Sequence, residues 1–403
     1  MDAASLDGVH FSSRVDTGAP NPITVAERGA LAAGVTLSRL NDSNPTRHGL
    51  APRSLPSVYT ARPRGPMQLR RQLADFLTER ERAAGVSGAG PVDPDDLYVL
   101  SSTSQAYSWL MKLFCDAGDA VLAPKPGYPL IESIARLENV RVVAYHLRFD
   151  GSWFIDLGEL KSLLDEPRGA RIRALVLINP NNPTGSYVKP GERRALVSLC
   201  AAHGVAIIAD EVFFDDALEP FPGNARLSGE RAVLTCALDG FSKMLAAPHA
   251  KVGWIRLSGP DEEVLEAKAR LDVIADDYLP MSDIIAQRVP ALLGDAEDQS
   301  ALVHSRIRGN LATLHRMLAQ EPECAVSVLR AEGGWNVLLR VPSALDEDEL
   351  VLTMIREHRL SAQPGYFFDM DSNGFLAVSL LPRPEEFAVH IRMVLDTVAS
   401  LLG

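Results

Sequence analysis

The sequence predicts an α/β chain: a mainly parallel sheet between helices, with a smaller α+β part after it. Three observations predict it. Short apolar runs recur at Ala174-Leu175-Val176-Leu177-Ile178, Val205-Ala206-Ile207-Ile208-Ala209 and Ala232-Val233-Leu234-Thr235-Cys236-Ala237-Leu238. Runs of this length, bounded by turn residues, read as strands buried on both faces of a parallel sheet. Helical periodicity lies between them, clearest from Gly191 to His203 and stopped by Gly204, the residue type that ends helices. Finally, each run leads into polar groups: Asn179-Pro180-Asn181-Asn182-Pro183-Thr184-Gly185, then Asp210-Glu211, then Phe241-Ser242-Lys243. Ligands of such sheets sit at the carboxyl ends of the strands. An amide, a carboxylate and an amine therefore converge on one sheet edge.

The remaining elements follow in order. A helix-like piece runs from Ile23 to Leu37, with Pro22 at its start and Gly34 interrupting it. Asp42-Ser43-Asn44-Pro45-Thr46 is a turn. Leu69, Leu73, Phe76 and Leu77 recur at helical spacing after Gly65. Leu97 to Leu100 is a strand, followed by Ser101-Ser102-Thr103-Ser104 and a helix from Gln105. A hydroxyl-rich helix start can bind an anion, because its free N–H groups and the helix dipole face the ligand; it can also be a plain N-cap. Ala120 to Ala123 is the next strand, ending at Pro124-Lys125-Pro126-Gly127-Tyr128-Pro129. Arg141 to His146 is another strand, Leu160 to Asp165 a short helix, Val252 to Leu257 a strand and Asp261 to Leu271 a charged helix. The last part reads as helix (Ala301 to Leu318), strands (Trp335 to Arg340 and Leu376 to Leu381) and an amphipathic closing helix (Glu385 to Leu402).

Composition narrows the function classes. The chain has 403 residues, with 40 basic against 52 acidic side chains and a formal charge of −12, which argues against a nucleic-acid surface. Cys115, Cys200, Cys236 and Cys324 are scattered without a Cys-x-x-Cys. They read as core residues of a reducing compartment, neither a disulfide framework nor a metal site. The N-terminus lacks the basic and apolar regions of a signal peptide, and no run reaches membrane-span length. A cytoplasmic enzyme without a metal is expected. Neither Gly-x-Gly-x-x-Gly nor a P-loop occurs, so nucleotide chemistry is not indicated.

The converging trio suits pyridoxal phosphate, which needs an amine for its Schiff base and a carboxylate for its pyridinium nitrogen. Lys243 is the amine and Asp210 the carboxylate; Asn182 can donate to the ring oxygen. In this order and spacing the three segments resemble the fold-type I pyridoxal-phosphate enzymes of the class I/II aminotransferase superfamily. The resemblance runs from about Asn44 to about Leu380. It implies a large domain with a mainly parallel seven-stranded sheet between helices, spanning 47–272. Residues 1–46 would be an arm and part of the small domain, and 273–403 a small α+β domain. It implies Lys243 as catalytic residue, and Ser102, Thr103, Tyr128, Asn182, Asp210, Phe213, Ser242, Lys251 and Tyr59 at the cofactor. Tyr59 would reach the phosphate of a neighbouring subunit in a homodimer with shared sites, or be only an interface aromatic. Tyr128 would stack on the pyridine ring.

Four positions depart from the family pattern. Relatives carry glycine at Ser102, tyrosine at Phe213 and arginine at Lys251. A bidentate fork is lost at Lys251, and one hydrogen bond to the ring oxygen is lost at Phe213. The largest departure is Ala377, where relatives place the arginine that clamps the substrate α-carboxylate. Arg47, Arg53 or Arg383 could supply the clamp, with Asn44 and Arg47 favoured because their loop resembles the substrate-side loop. The resemblance implies transamination between an amino acid and a 2-oxo acid. The same residues would serve β- or γ-elimination or replacement. A non-enzymatic ligand sensor would need a DNA-binding module, and the first forty or so residues contain no basic helix-turn-helix.

Overall fold

The computed structural model describes residues 8–38, 40, 42–85, 90–220 and 225–403. Its large sheet contains β1 (Leu97–Leu100), β2 (Ala120–Lys125), β3 (Arg141–Phe149), β4 (Trp153–Ile155), β5 (Ile172–Ile178), β6 (Ala206–Asp210), β7 (Thr235–Gly240) and β8 (Gly253–Ser258). The order is β1-β8-β7-β6-β5-β2-β3-β4. β7, β6, β5, β2 and β3 run parallel, while β8 lies antiparallel between β1 and β7. The sheet thus has eight strands where seven were expected. The extra one is β4, a three-residue hairpin partner of β3 at the edge, too short to show a period.

The apolar runs form a sheet because both faces are covered. Val176, Ile208, Leu238 and Ile255 project to one side, with Trp109 and Leu110 of the helix Thr103–Phe114. Leu175, Leu177, Ile207 and Ala209 project to the other, with Leu196 and Cys200 of the helix Pro190–His203. Strand side chains alternate between faces, so a run apolar at every position needs a layer on each. Gly204 closes that helix at φ +60°, the left-handed geometry that a C-terminal glycine supplies.

The smaller part holds β9 (Ser327–Val328), β10 (Asn336–Arg340), β11 (Gln363–Pro364) and β12 (Phe375–Ser379) in the antiparallel order β11-β12-β10-β9. The helices Ala296–Gln320, Glu347–His358 and Pro384–Leu402 cover it through Ile307, Leu314, Leu350, Met354, Phe387 and Leu395. Phe213 and Leu218, from the loop after β6, belong to this same cluster. The helix Asp261–Tyr278 runs through residue 272 without a break.

A backbone seam joins the two parts. The N–H groups of Glu332 and Gly333 both donate to Gly185 O at 2.9 Å, and Gly334 N–H donates to Asp216 O at 2.8 Å. Glu332 is buried and accepts from Tyr187 N–H and Lys189 Nζ at 2.9 and 3.0 Å. Glycine is required on both sides of the seam. A Cβ on Gly333 would stand 2.7 Å from the Tyr187 ring, and one on Gly185 (φ +69°) 2.6 Å from Ala331 Cβ.

The N-terminal arm behaves differently. Its helix Pro22–Ala32 buries no residue, and Ile23, Val25, Leu31, Val35 and Leu37 lie exposed. Among the described residues, no helix is long and apolar enough to cross a membrane.

Candidate active site

Adjacent parallel strands put the three sequence segments side by side. Ile178 of β5 pairs with Asp210 of β6, and Asp210 pairs with Leu238 of β7. The chain leaves β5 into Asn179, ends β6 at Asp210, and leaves β7 through Gly240 into the short helical turn Phe241–Met244 that carries Lys243.

Lys243 is half-buried, and its Nζ lies 5.2 Å from the Phe213 ring centre and 5.0 Å from the Trp335 ring centre. The two rings meet edge to face at 5.3 Å. Among the described residues, no carboxylate or carbonyl forms a hydrogen bond or ion pair with this amine. Burial lowers its proton affinity, opposed by the charges of Asp210 and Asp216. Aromatic faces favour the cation, but desolvation prevails. An amine held toward its neutral form is a nucleophile.

Asp210 is buried, and burial pushes its carboxyl up to about 6. Tyr107 O–H donates to Oδ2 at 2.8 Å, and Val212 N–H reaches Oδ1 at 3.3 Å. Glu211, next in sequence, faces the other way. It accepts from Leu227 N–H at 2.6 Å and lies 3.6 Å from Arg226. The Asp-Glu pair of the sequence therefore splits into one residue for the site and one for the scaffold.

The asparagines divide their labour similarly. Asn179 Oδ1 accepts from Val188 N–H, and Asn181 Oδ1 accepts from the Thr184 hydroxyl, so both hold their own loop. Asn182 Oδ1 instead accepts from Asn336 Nδ2 at 3.0 Å. With its oxygen engaged, the Asn182 NH2 is the group left to offer a ligand.

At the helix Thr103–Phe114, Ser102 is ordinary extended backbone (φ −171°, ψ 156°), and its hydroxyl caps Gln105 N–H at 3.2 Å. The missing glycine therefore costs nothing there. Gly253 backs directly onto this helix start; a Cβ on it would lie 3.2 Å from Thr103 N. The Thr103 hydroxyl makes no hydrogen bond among the described residues.

The remaining expected residues differ in exposure and contacts. Lys251 is exposed at φ +53°, and Tyr128 is 44 % exposed. Asn44 caps the turn Pro45–His48 and donates to Tyr59 O at 2.9 Å, while Arg47 lies 3.6 Å from Asp42. Asn44, Arg47 and exposed Tyr59 thus form a cluster of their own, with no hydrogen bond or ion pair to the Lys243 group among the described residues. Ala377 pairs with Leu338 and packs in apolar surroundings. Arg53 and Arg383 are exposed. Sequence reasoning missed Tyr107, Trp335 and Asn336, all brought in from distant elements. Gly333-Gly334 before Trp335-Asn336 was the available signal, since paired glycines mark a close backbone approach.

The geometry fits pyridoxal phosphate. It offers an unpaired amine for the aldehyde, a buried carboxylate for the ring nitrogen, an amide donor for the ring oxygen and free helix N–H groups for the phosphate. The sequence matches the class I and II aminotransferase family over residues 59–387. The chain belongs to this family. Its members are pyridoxal-phosphate-dependent aminotransferases. The chain is similar to the glutamate-pyruvate aminotransferase AlaA of Haemophilus influenzae, 24 % identical over 369 residues that cover 87 % of each chain. It is 34 % identical to the mitochondrial alanine aminotransferase 2 of Arabidopsis thaliana over 143 residues, which cover 34 % of this chain and 26 % of that protein. The fold matches that of cystalysin from Treponema denticola, whose structure contains pyridoxal 5′-phosphate, with TM-score 0.71 at 14 % identity, covering 98 % of this chain and 92 % of that one.

Proposed function

We propose that this family member transfers an amino group between an amino acid and a 2-oxo acid, with pyridoxal phosphate held at Lys243. One observation carries the reading: a half-buried amine, with no hydrogen bond or ion pair to an acid among the described residues, stands at the same sheet edge as buried Asp210. When bound, the cofactor supplies an electron sink for charge developing at the substrate α-carbon. Asp210 supplies a negative charge to the ring nitrogen. Asn182 donates from its NH2 to the ring oxygen, without a second donor because Phe213 has no hydroxyl. Ser102 and Thr103 present helix N–H groups to the phosphate, and Ser242 and Lys251 flank it. Tyr128 covers a ring face. The Lys243 amine then moves a proton at the substrate α-carbon.

Asn44 and Arg47 are assigned to the substrate carboxylate in place of the arginine missing at Ala377. Arg47→Ala then depresses kcat/KM by tens- to thousandsfold, the range for breaking a buried charge pair at roughly 2–5 kcal/mol, and leaves the cofactor spectrum unchanged. A small effect moves the clamp to Arg53 or Arg383. We place the working unit as a homodimer with shared sites, because the exposed apolar arm and Tyr59 need a covering surface. Sedimentation showing an active monomer would contradict that. The four free cysteines suit the cytoplasm.

The deciding experiment treats one sample of purified protein with borohydride and maps the adduct, and offers amino acids with and without 2-oxo acids to a second, unreduced sample. An adduct at Lys243 and acceptor-dependent amino transfer are expected. An adduct elsewhere removes the assignment. Ammonia release without an acceptor would turn the reading to elimination.

A further inference from the structure

Asp210 is held by a neutral donor, although cations lie close to its neighbours. Tyr107 and Asp210 are both buried, and the phenol donates to Asp210 Oδ2 at 2.8 Å. Among the described residues the other oxygen, Oδ1, has only the long contact from Val212 N–H at 3.3 Å. Tyr107 sits on the helix Thr103–Phe114, four residues after Thr103 and so one turn along the same face. One rigid element therefore carries both the helix start that faces an anion and the hydroxyl that fixes the carboxylate.

We propose that Tyr107 is a positioning residue: its O–H engages Asp210 Oδ2, turns Oδ1 toward the cofactor's ring nitrogen, and keeps the carboxylate ionised without neutralising it. A cation in its place would quench the charge that the ring nitrogen needs. A hydrocarbon would leave a buried carboxylate with one weak donor, and such groups take up a proton instead. The other titratable groups near the pair are Asp239 and Lys243 beside Asp210, and Tyr145 and Tyr128 beside Tyr107. Tyr145 is committed elsewhere, donating to Val176 O at 2.9 Å. Among the described residues none of them hydrogen-bonds to the Asp210 carboxylate.

The proposal rests on the cofactor reading above, and its test separates the two. Tyr107→Phe and a 3-fluorotyrosine at position 107 are compared with wild type. The fluorinated phenol keeps the shape and donates more strongly, so it remains informative where the phenylalanine variant does not fold. Two readouts are independent of turnover: infrared titration of the Asp210 carboxyl in the apoprotein, assigned with Asp210→Asn, and the 15N shift of ring-labelled pyridoxal phosphate bound to the protein. In Tyr107→Phe the carboxyl should titrate at higher pH and the ring nitrogen should lose protonation. Its kcat should fall roughly ten- to a hundredfold, the loss expected for one hydrogen bond to a charged group, with KM little changed. The fluorinated form should shift both spectroscopic readouts the opposite way. Unchanged titration and 15N shift in both variants would overturn the role of Tyr107 while leaving the cofactor reading intact. Wild type that binds no cofactor would overturn both.

Discussion

Asp210 and Asp239 end neighbouring parallel strands, are both buried, and live in opposite electrostatic company. Asp210 meets a phenol and a backbone N–H. Asp239 lies 2.9 Å from Arg80 and 3.6 Å from Arg226, and accepts from Gly240 N–H at 2.7 Å. Those two arginines also bind Asp215, and Arg226 reaches Glu211. Every acid in the second group is answered by charge within the chain. Among the described residues Asp210 forms no ion pair: its hydrogen bonds come from dipoles, and the cation whose charge it feels is Lys243, the amine of the site itself. The difference separates scaffold from site without reference to any relative: a buried charge is normally paired, and the exception marks where a ligand belongs.

Breaking the scaffold side should show the largest effect. Arg226→Ala strands buried Glu211 and leaves Asp239 with Arg80 alone, so denaturant unfolding should register a loss of about 3–5 kcal/mol, as for other broken buried pairs. A loss under about 1 kcal/mol would mean that water or a side-chain shift replaces the guanidinium. On the site side, Asp210→Ala should leave folding nearly intact and retain cofactor, but lower turnover about a hundred- to a thousandfold. Near-native turnover would take Asp210 out of the site.

Titration sharpens the same contrast. Burial raises the Asp210 carboxyl from 3.8 to about 6, so the folded apoprotein holds this proton more tightly than the unfolded chain. The stability it contributes is full below 3.8 and lost as pH rises through 6, a change of about 3 kcal/mol. Asp210→Asn cannot titrate. Its stability advantage over wild type should therefore grow as pH rises toward 6 and level off above it, with the apoproteins unfolded in urea at each pH. A flat difference would place compensating charge beside Asp210.

Much of this was legible before any coordinates. The runs ending at Ile178, Ala209 and Leu238 carry their own burial pattern, and the residues after them announce the sheet edge. Legibility failed where a role depends on convergence. Tyr107 reads as one more apolar position of an amphipathic helix, and its partner is 103 residues away. Asn336 matters only because β10 passes the loop after β5. The helix Glu347–His358 was missed although Asp346 caps Glu349 N–H at 3.0 Å, a start signal present in the sequence. Of the expected site, Lys243, Asp210, Asn182 and Phe213 stand in or beside one group, whereas Asn44, Arg47 and Tyr59 form a separate cluster with no hydrogen bond or ion pair to it among the described residues.

The floor beneath Lys243 has two owners. Phe213 comes from the large sheet's loop and Trp335 from the edge of the small sheet. The dryness that lowers the amine's proton affinity therefore exists only while the two halves stand together. Parting them would let water in and return the amine to its ordinary, charged and unreactive form. Chemical readiness at Lys243 is thus a property of the joint and belongs to neither half alone, so the backbone seam at Gly185 and Gly333 acts on reactivity as well as on shape.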